Sequence, residues 1–178
     1  KEHMEKSAGD GPPMALALQD DINANKVLPL LIGTPEEGLA EIFYGLGEAL
    51  ASEGGVGIGA TYLQMALYLK PQFPFALAAL ANVYETTKRY ETAITVYERI
   101  PAGTPLASSI DIRKAINLNL LERVDDAKKL LENLARRTRE DIKPLDALGS
   151  IMRAHKRYDE AIAYYTKAIA LIQKPEKR

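Results

Sequence analysis

Residues 89–100, RYETAITVYERI, and residues 157–169, RYDEAIAYYTKAI, are two copies of one pattern, offset by 68 residues, or twice a period of 34. The period also relates other parts of the chain. One position of the 34-residue grid carries small residues, namely Gly59, Ala93, Ala127 and Ala161. Four residues later, large apolar side chains recur, namely Leu63, Tyr97, Leu131 and Tyr165. Self-similarity at this period predicts an array of stacked helical repeats.

The grid divides the chain into four units. Each unit combines two helical patterns with a short break between them, and proline near several unit ends prevents the second helix from continuing. The units are residues 40–73, 74–107, 108–141 and 142–175. The breaks are expected at residues 52–55, 87–89, 122–123 and 155–157. Helices of about three to four turns are marginal alone, so stability must come from stacking.

These motifs resemble the tetratricopeptide repeat family, whose units place small residues at fixed positions of both helices and large apolar ones around them. The fourth unit carries Leu148 and Gly149 in its first helix, then Ala161 and Tyr165 in its second. The resemblance implies an all-α fold, a right-handed α-solenoid of stacked antiparallel helix pairs. The chain also resembles the N-terminal part of longer bacterial proteins of this family, of the alphaproteobacterial type.

The third unit departs from the family pattern. Asp111 and Lys114 stand where the other units have large apolar residues. The first helix of this unit is therefore expected to be rotated or shifted. Its packing would then come from Ile112, Ala115, Ile116 and Leu118.

The residues before the array are of two kinds. Residues 1–13 are polar and rich in glycine and proline, and they indicate a tag remnant or flexible linker. Residues 14–39 contain an amphipathic helix and a lead-in that ends at Thr34-Pro35, a favourable helix start. The segment 14–32 either caps the array or occupies its groove, and the sequence leaves both alternatives open.

Composition excludes several classes of function. With 23 basic and 24 acidic residues the net charge is −1, so the chain shows no footprint for nucleic acid. Cysteine is absent, and no apolar run is long enough for membrane insertion. His155 is the only histidine in the array and is expected to be a surface residue at a helix end. The chain is therefore predicted to have no catalytic or metal site and no cofactor, and it fits either cytoplasm or periplasm.

The resemblance implies that a protein or peptide partner binds the concave face formed by the first helices. One family subclass grips a terminal carboxylate, but Tyr44 and Glu48 replace its clamp in the first unit, which favours an internal segment or a helix with apolar anchors. Ile112 and Ile116 either contact this partner or repair the irregular third unit. The expected contact residues are Tyr44, Glu48, Phe75, Ala78, Asn82, Glu85, Ile112, Ile116, Asn119, Asp146 and Arg153.

A second hypothesis is structural. Leu171 and Ile172 end the last unit without a polar cap, and repeat arrays need polar terminal caps. The chain is then a self-assembly segment of a longer repeat protein: either further repeats follow in the parent chain, or two chains cap each other as a homo-oligomer.

Overall fold

The computed structural model describes residues 32–172, and within this range the chain forms only helices and turns. The expectations for residues 1–13 and for a helix in residues 14–31 lie outside the described part. The helices are α1 Pro35–Ser52, α2 Val56–Leu69, α3 Pro74–Thr86, α4 Tyr90–Tyr97, α5 Ala107–Leu120, α6 Val124–Arg137, α7 Lys143–Ala154 and α8 Tyr158–Ile172. The all-α repeat fold predicted from the period is confirmed.

The turns within the four helix pairs share one backbone conformation. Gly54, Lys88, Glu122 and Lys156 each have a positive φ, between 58° and 94°, and they are 34 residues apart. In the second pair, the amide of Lys88 donates to the carbonyl of Glu85, and the amide of Arg89 donates to that of Tyr84. This Schellman motif satisfies the last carbonyls of the helix. The predicted breaks at 87–89 and 155–157 are confirmed, and the other two agree with the observed turns to within one residue.

Glycine at a left-handed position of these turns is expected to stabilise the chain. Lys156 has φ 60°, a conformation that costs a side-chain-bearing residue about 1–2 kcal/mol. Since glycine loses more backbone entropy on folding, Lys156→Gly should raise the free energy of unfolding by a net ~0.5–1 kcal/mol. Urea denaturation measures the change. As a control, Arg153→Gly inside α7 should lower stability by about 1 kcal/mol, and equal effects of the two variants would contradict this account.

The helices group into two compact units. The first unit contains α1, α2 and the chain up to Ala76, together with residues 101–107; the second contains residues 77–100 and the chain from Ser108. In the first unit α1 packs on α2 at two glycines. A Cβ on Gly59 would lie 2.7 Å from the carbonyl oxygen of Gly47, so the two helices cross in close backbone contact.

In the second unit, α7 packs against both α6 and α8. The core contains Leu131 and Leu134 of α6, Leu148 and Met152 of α7, and Tyr164 of α8. These side chains come from the recurring apolar positions of the grid. Burial of such side chains contributes most of the stability of a repeat array, because each helix pair alone exposes one apolar face.

The irregular first helix of the third unit is α5. Its Ala115 and Leu118 are buried, as expected, but Ile116 is exposed. Lys114 pairs with Asp111 at 3.6 Å, and Arg137 of α6 pairs with Asp111 at 2.6 Å. The opposite charges of Asp111 and Lys114 therefore neutralise each other at positions that are apolar in other units. The expectation that Ile116 packs in the core is wrong, because the helix turns that side chain outward.

Candidate functional site

A groove of about 430 Å³ lies between the first helices α5 and α7 of the second unit. We call it the isoleucine groove. Its walls are aliphatic on the α5 side and mixed on the α7 side. Its lining residues are Ile112, Ile116, Ile142, Lys143, Asp146, Ala147, Ser150 and Ile151. An open apolar groove with a few polar groups at its rim is the common form of a peptide-binding site.

Helical spacing places these side chains in two rows. Ile112 and Ile116 are four residues apart on α5, so both project to the same side. On α7, Asp146 and Ser150 have the same spacing. At the start of this helix, the amide of Lys143 donates to the carboxylate of Asp141 at 2.9 Å, which fixes the chain entering the groove wall.

Two charged side chains of opposite sign lie at the rim of the isoleucine groove. Lys143 and Asp146 are both exposed. Within residues 32–172, neither side chain belongs to an ion pair. A bound segment can therefore gain polar contacts with them without breaking an internal bond.

Glu85 of α3 is the centre of a polar cluster with residues of α5. Its carboxylate accepts a hydrogen bond from the buried Asn117 at 2.6 Å and pairs with the guanidinium of Arg113. Arg113 also donates to Asn82 at 2.7 Å. Burial raises the pKa of the Tyr97 phenol, and the nearby Glu85 carboxylate raises it further, against a smaller opposing effect of the Arg113 guanidinium. The cluster joins α3 to α5.

A second polar link joins α5 to α7. The Nε2 atom of His155 lies 2.7 Å from the amide oxygen of Asn119. His155 is half-buried at the C-cap of α7. The expectation of a plain surface histidine is wrong, because the repeat packing brings the end of α5 against it.

An aromatic cluster lies in the first unit. The ring centroids of Tyr44 and Phe73 are 5.1 Å apart in an edge-on arrangement, and those of Tyr44 and Phe75 are 6.5 Å apart. Burial raises the pKa of the Tyr44 phenol, and the adjacent Glu48 carboxylate adds to the effect. Tyr44 and Phe75 are thus half-buried in contact with each other and offer only part of their rings to a partner.

The eleven expected contact residues fall into four groups. Ile112, Ile116 and Asp146 line the isoleucine groove. Asn82, Glu85 and Asn119 take part in internal hydrogen bonds, while Ala78 is half-buried and Arg153 exposed. Tyr44, Glu48 and Phe75 belong to the first unit and are described apart from the others. The role of all eleven in partner binding stays a prediction.

Three residues of this region were not predicted from the sequence. Ile142 and Ile151 line the groove, and the buried Asn117 of α5 donates a hydrogen bond to Glu85 of α3. A signal for Asn117 existed, because the grid places it level with Val83 and Ile151, both apolar. A polar residue at a buried grid position indicates an internal partner.

Residues 32–172 contain no group of three or more His, Cys, Asp or Glu side chains placed to hold a metal ion. None of the helices in this range is long and apolar enough to cross a membrane.

Comparison with solved structures identifies the fold. MamA 41-end from Desulfovibrio magneticus RS-1 superposes with a TM-score of 0.65 at 20% identity, covering 99% of this chain and 94% of that one. A crystal structure of MamA gives a TM-score of 0.65 at 17% identity, covering 98% and 97%. At such identity the likeness establishes the fold alone. The search of curated protein sequences finds no match.

Sequence comparison names the repeat. The family model of the tetratricopeptide repeat matches residues 76–105 and residues 145–178. The first segment covers α4 and most of α3, and the second begins in α7 and includes α8. The two matching segments agree with the repeat fold, and they show that residues 76–105 and 145–178 are tetratricopeptide repeats.

Proposed function

We propose that the chain is a protein-interaction scaffold whose isoleucine groove binds a peptide or a segment of another protein. The observation that carries the proposal is the exposure of Ile116, which is 44% accessible although it lies in a groove with other aliphatic side chains. Proteins seldom leave aliphatic groups clustered in an open groove without a binding role. Tetratricopeptide repeats are protein-binding modules in general, which supports a protein partner.

The groove favours a particular chemistry in its ligand. Two isoleucines on α5 and one on α7 offer contacts for apolar anchors, and Lys143 and Asp146 at the rim can each pair with an opposite charge. A segment with apolar side chains at alternate positions, or at helical spacing, satisfies this arrangement. Nothing in the groove provides the cluster of basic residues that a terminal carboxylate clamp requires.

A catalytic role is not part of the proposal. His155 is the only histidine among residues 32–172, and its ring is bonded to Asn119 rather than to a nucleophile. A general base needs a nucleophile or substrate proton within hydrogen-bond reach.

Ile116→Asp tests the proposal. The probe is a peptide selected against the purified chain from a random display library, and its affinity is measured by calorimetric titration. Since the substitution puts a charge among aliphatic side chains, affinity should fall by at least about tenfold. Leu120→Asp is the matched control, because Leu120 is on the same helix, 50% exposed and outside the groove lining.

The two variants give clear outcomes. Leu120→Asp should keep the affinity within about twofold of the original, provided that both variants retain their thermal midpoint. If the selected peptides bind Ile116→Asp as tightly as the original chain, the isoleucine groove is not the binding site.

Self-assembly is the second candidate function. Ile162, Ile169 and Ile172 of α8 are all exposed and lie along the outer surface of the last helix. Large exposed apolar stripes mark sites of association. Light scattering on the titration samples separates the two functions, because assembly through α8 gives a mass that rises with concentration, while groove binding does not require it.

A further inference from the structure

Helix α1 carries an apolar stripe on the side that no described helix covers. Leu39, Ile42 and Leu46 follow one another at helical spacing and are 42%, 58% and 45% exposed. We call these three residues the α1 stripe. Ile58 and Met65 of α2 are exposed as well. This much apolar surface on the first pair needs an occupant.

The 34-residue grid shows what kind of occupant fits. Ile42 corresponds to Ala76, Ile110 and Pro144, and all three of these residues are buried. Leu46 corresponds to Leu148 of α7, which is fully buried. Ile42 and Leu46 therefore occupy grid positions whose counterparts in later helices are buried, but their own side chains are exposed.

The fourth helix pair identifies the missing element. Leu148 of α7 lies in a core cluster with Leu131 and Leu134 of α6, the second helix of the preceding pair. By the register of the repeat, the face of α1 at Leu46 receives a helix that comes directly before α1 in the chain. The element that fits is a helix of the second-helix type, supplied from upstream of residue 32.

The path of the chain into α1 agrees with this position. The amide of Gly33 donates to the Glu37 carboxylate at 2.7 Å, which folds the lead-in back onto the first turn. A Cβ on Gly38 would lie 3.4 Å from the Cγ2 atom of Ile32, so Ile32 rests on the helix beside Gly38. Gly38 is four residues before Ile42 and thus on the same side of α1. The upstream chain reaches α1 on the side of its apolar stripe.

We infer that residues 14–31 dock on the α1 stripe as an amphipathic helix. This segment has Met14, Leu18 and Ile22 at intervals of four, the spacing of one helix face, and Pro29 ends any helix there. Residues 29–34 then form the connection to α1. Their number is comparable with residues 70–73 and 138–142, which separate α2 from α3 and α6 from α7. The segment caps the array and leaves the isoleucine groove open.

Cross-linking in the full chain tests the docking. Since the chain has no cysteine, introduced pairs are the only thiols present. One protein carries Ile22→Cys with Ile42→Cys, and a second carries Leu18→Cys with Leu46→Cys, the pairs that an antiparallel docking across the connection 29–34 brings together. The comparison protein carries Ile22→Cys with Ile116→Cys in the groove. After treatment with a short bis-maleimide at low protein concentration, mass spectrometry separates intrachain links from interchain dimers.

We expect the intrachain link to the α1 stripe to form in at least one of the two designs, in about tenfold higher yield than the link to Ile116→Cys. A preferred link to Ile116→Cys would place the segment in the groove, and mainly interchain links would place a second copy on the stripe. Either result, or equally low yields for all pairs, overturns the inference.

Hydrogen exchange gives an independent readout. In the full chain, Leu18→Asp with Ile22→Asp puts charge on the docking face of the segment and should speed amide exchange in α1 by about tenfold or more, with α7 unchanged. Gln19→Asp with Asn23→Asp adds the same number of acidic side chains away from that face and should leave α1 unchanged. Equal exchange of α1 in the two variants also overturns the inference.

Discussion

Gly59→Ala is expected to lower the free energy of unfolding by about 2 kcal/mol. The new methyl group would lie 2.7 Å from the carbonyl oxygen of Gly47 and 2.8 Å from the Cβ of Ala51. Neither atom is the end of a flexible side chain, so relief requires α1 and α2 to separate. Separation would loosen the first helix pair next to its connecting turn, because Ala51 lies in the last turn of α1 and Gly59 in the first turn of α2.

The expected net loss of unfolding free energy includes an opposing contribution from helix propensity. Alanine is a better helix former than glycine by about 1 kcal/mol, so the steric cost itself is about 3 kcal/mol. Gly57→Ala isolates the helix term, since a Cβ at Gly57, two residues away on α2, would meet nothing within 4 Å. This control should gain about 1 kcal/mol. Urea denaturation of both variants gives the difference, and equal stabilities would show that the helix crossing is looser than described.

The same contact shows how far the grid predicts packing. Gly47 and Gly59 lie at small-residue positions of the grid in the first pair, and their later counterparts include Ala81, Ala93, Ala115 and Ala127. The period predicts that small residues meet there, since only they allow helices to approach closely. It does not predict that the first pair is packed more closely than an alanine allows. That distance depends on the combined side chains along both helices.

The left-handed turns were less visible in the sequence. Gly54 is a recognisable turn residue, but Lys88, Glu122 and Lys156 have no preference for positive φ. Tertiary packing of the helix pair imposes this conformation and overrides local propensity. The available signal for the positive φ of these three residues was the grid position that they share with Gly54.

The burial of the groove residues on α5 also depends on tertiary packing. Ile112 and Ile116 were left between groove and core, and the structure assigns them differently. Ile112 is half-buried against the core cluster and also lines the groove, while Ile116 is exposed. The decision depends on the rotation of α5, which follows from the pairing of Asp111 with Lys114 and Arg137. The pair of Asp111 with Arg137 joins two helices and cannot be read from one helix alone.

Glu85→Ala is expected to lower the free energy of unfolding by about 2–3 kcal/mol. The main reason is Asn117, which is 1% exposed and donates its amide to Glu85 at 2.6 Å. Without the carboxylate, a buried donor loses its partner and the cost of its desolvation is no longer offset. Arg113 contributes less, because its side chain is 44% exposed and water screens its charge.

The repeat supplies the second substitution of a double-mutant cycle. Val83 and Ile151 occupy the grid position of Asn117, so an aliphatic side chain fits this place in neighbouring helices. Asn117→Val in the Glu85→Ala background removes the unpaired amide and should restore at least about 1 kcal/mol. The cycle consists of the original chain, the two single variants and the double variant, each measured by urea denaturation.

The cycle also decides what Glu85 does. A coupling energy of about 1–2 kcal/mol between the two positions means that the carboxylate is held by Asn117 and links α3 to α5 inside the fold. The peptide affinity should then change little in the double variant if its fold is intact. Additive effects, together with a large loss of peptide affinity, would instead return Glu85 to the set of residues that contact the partner directly.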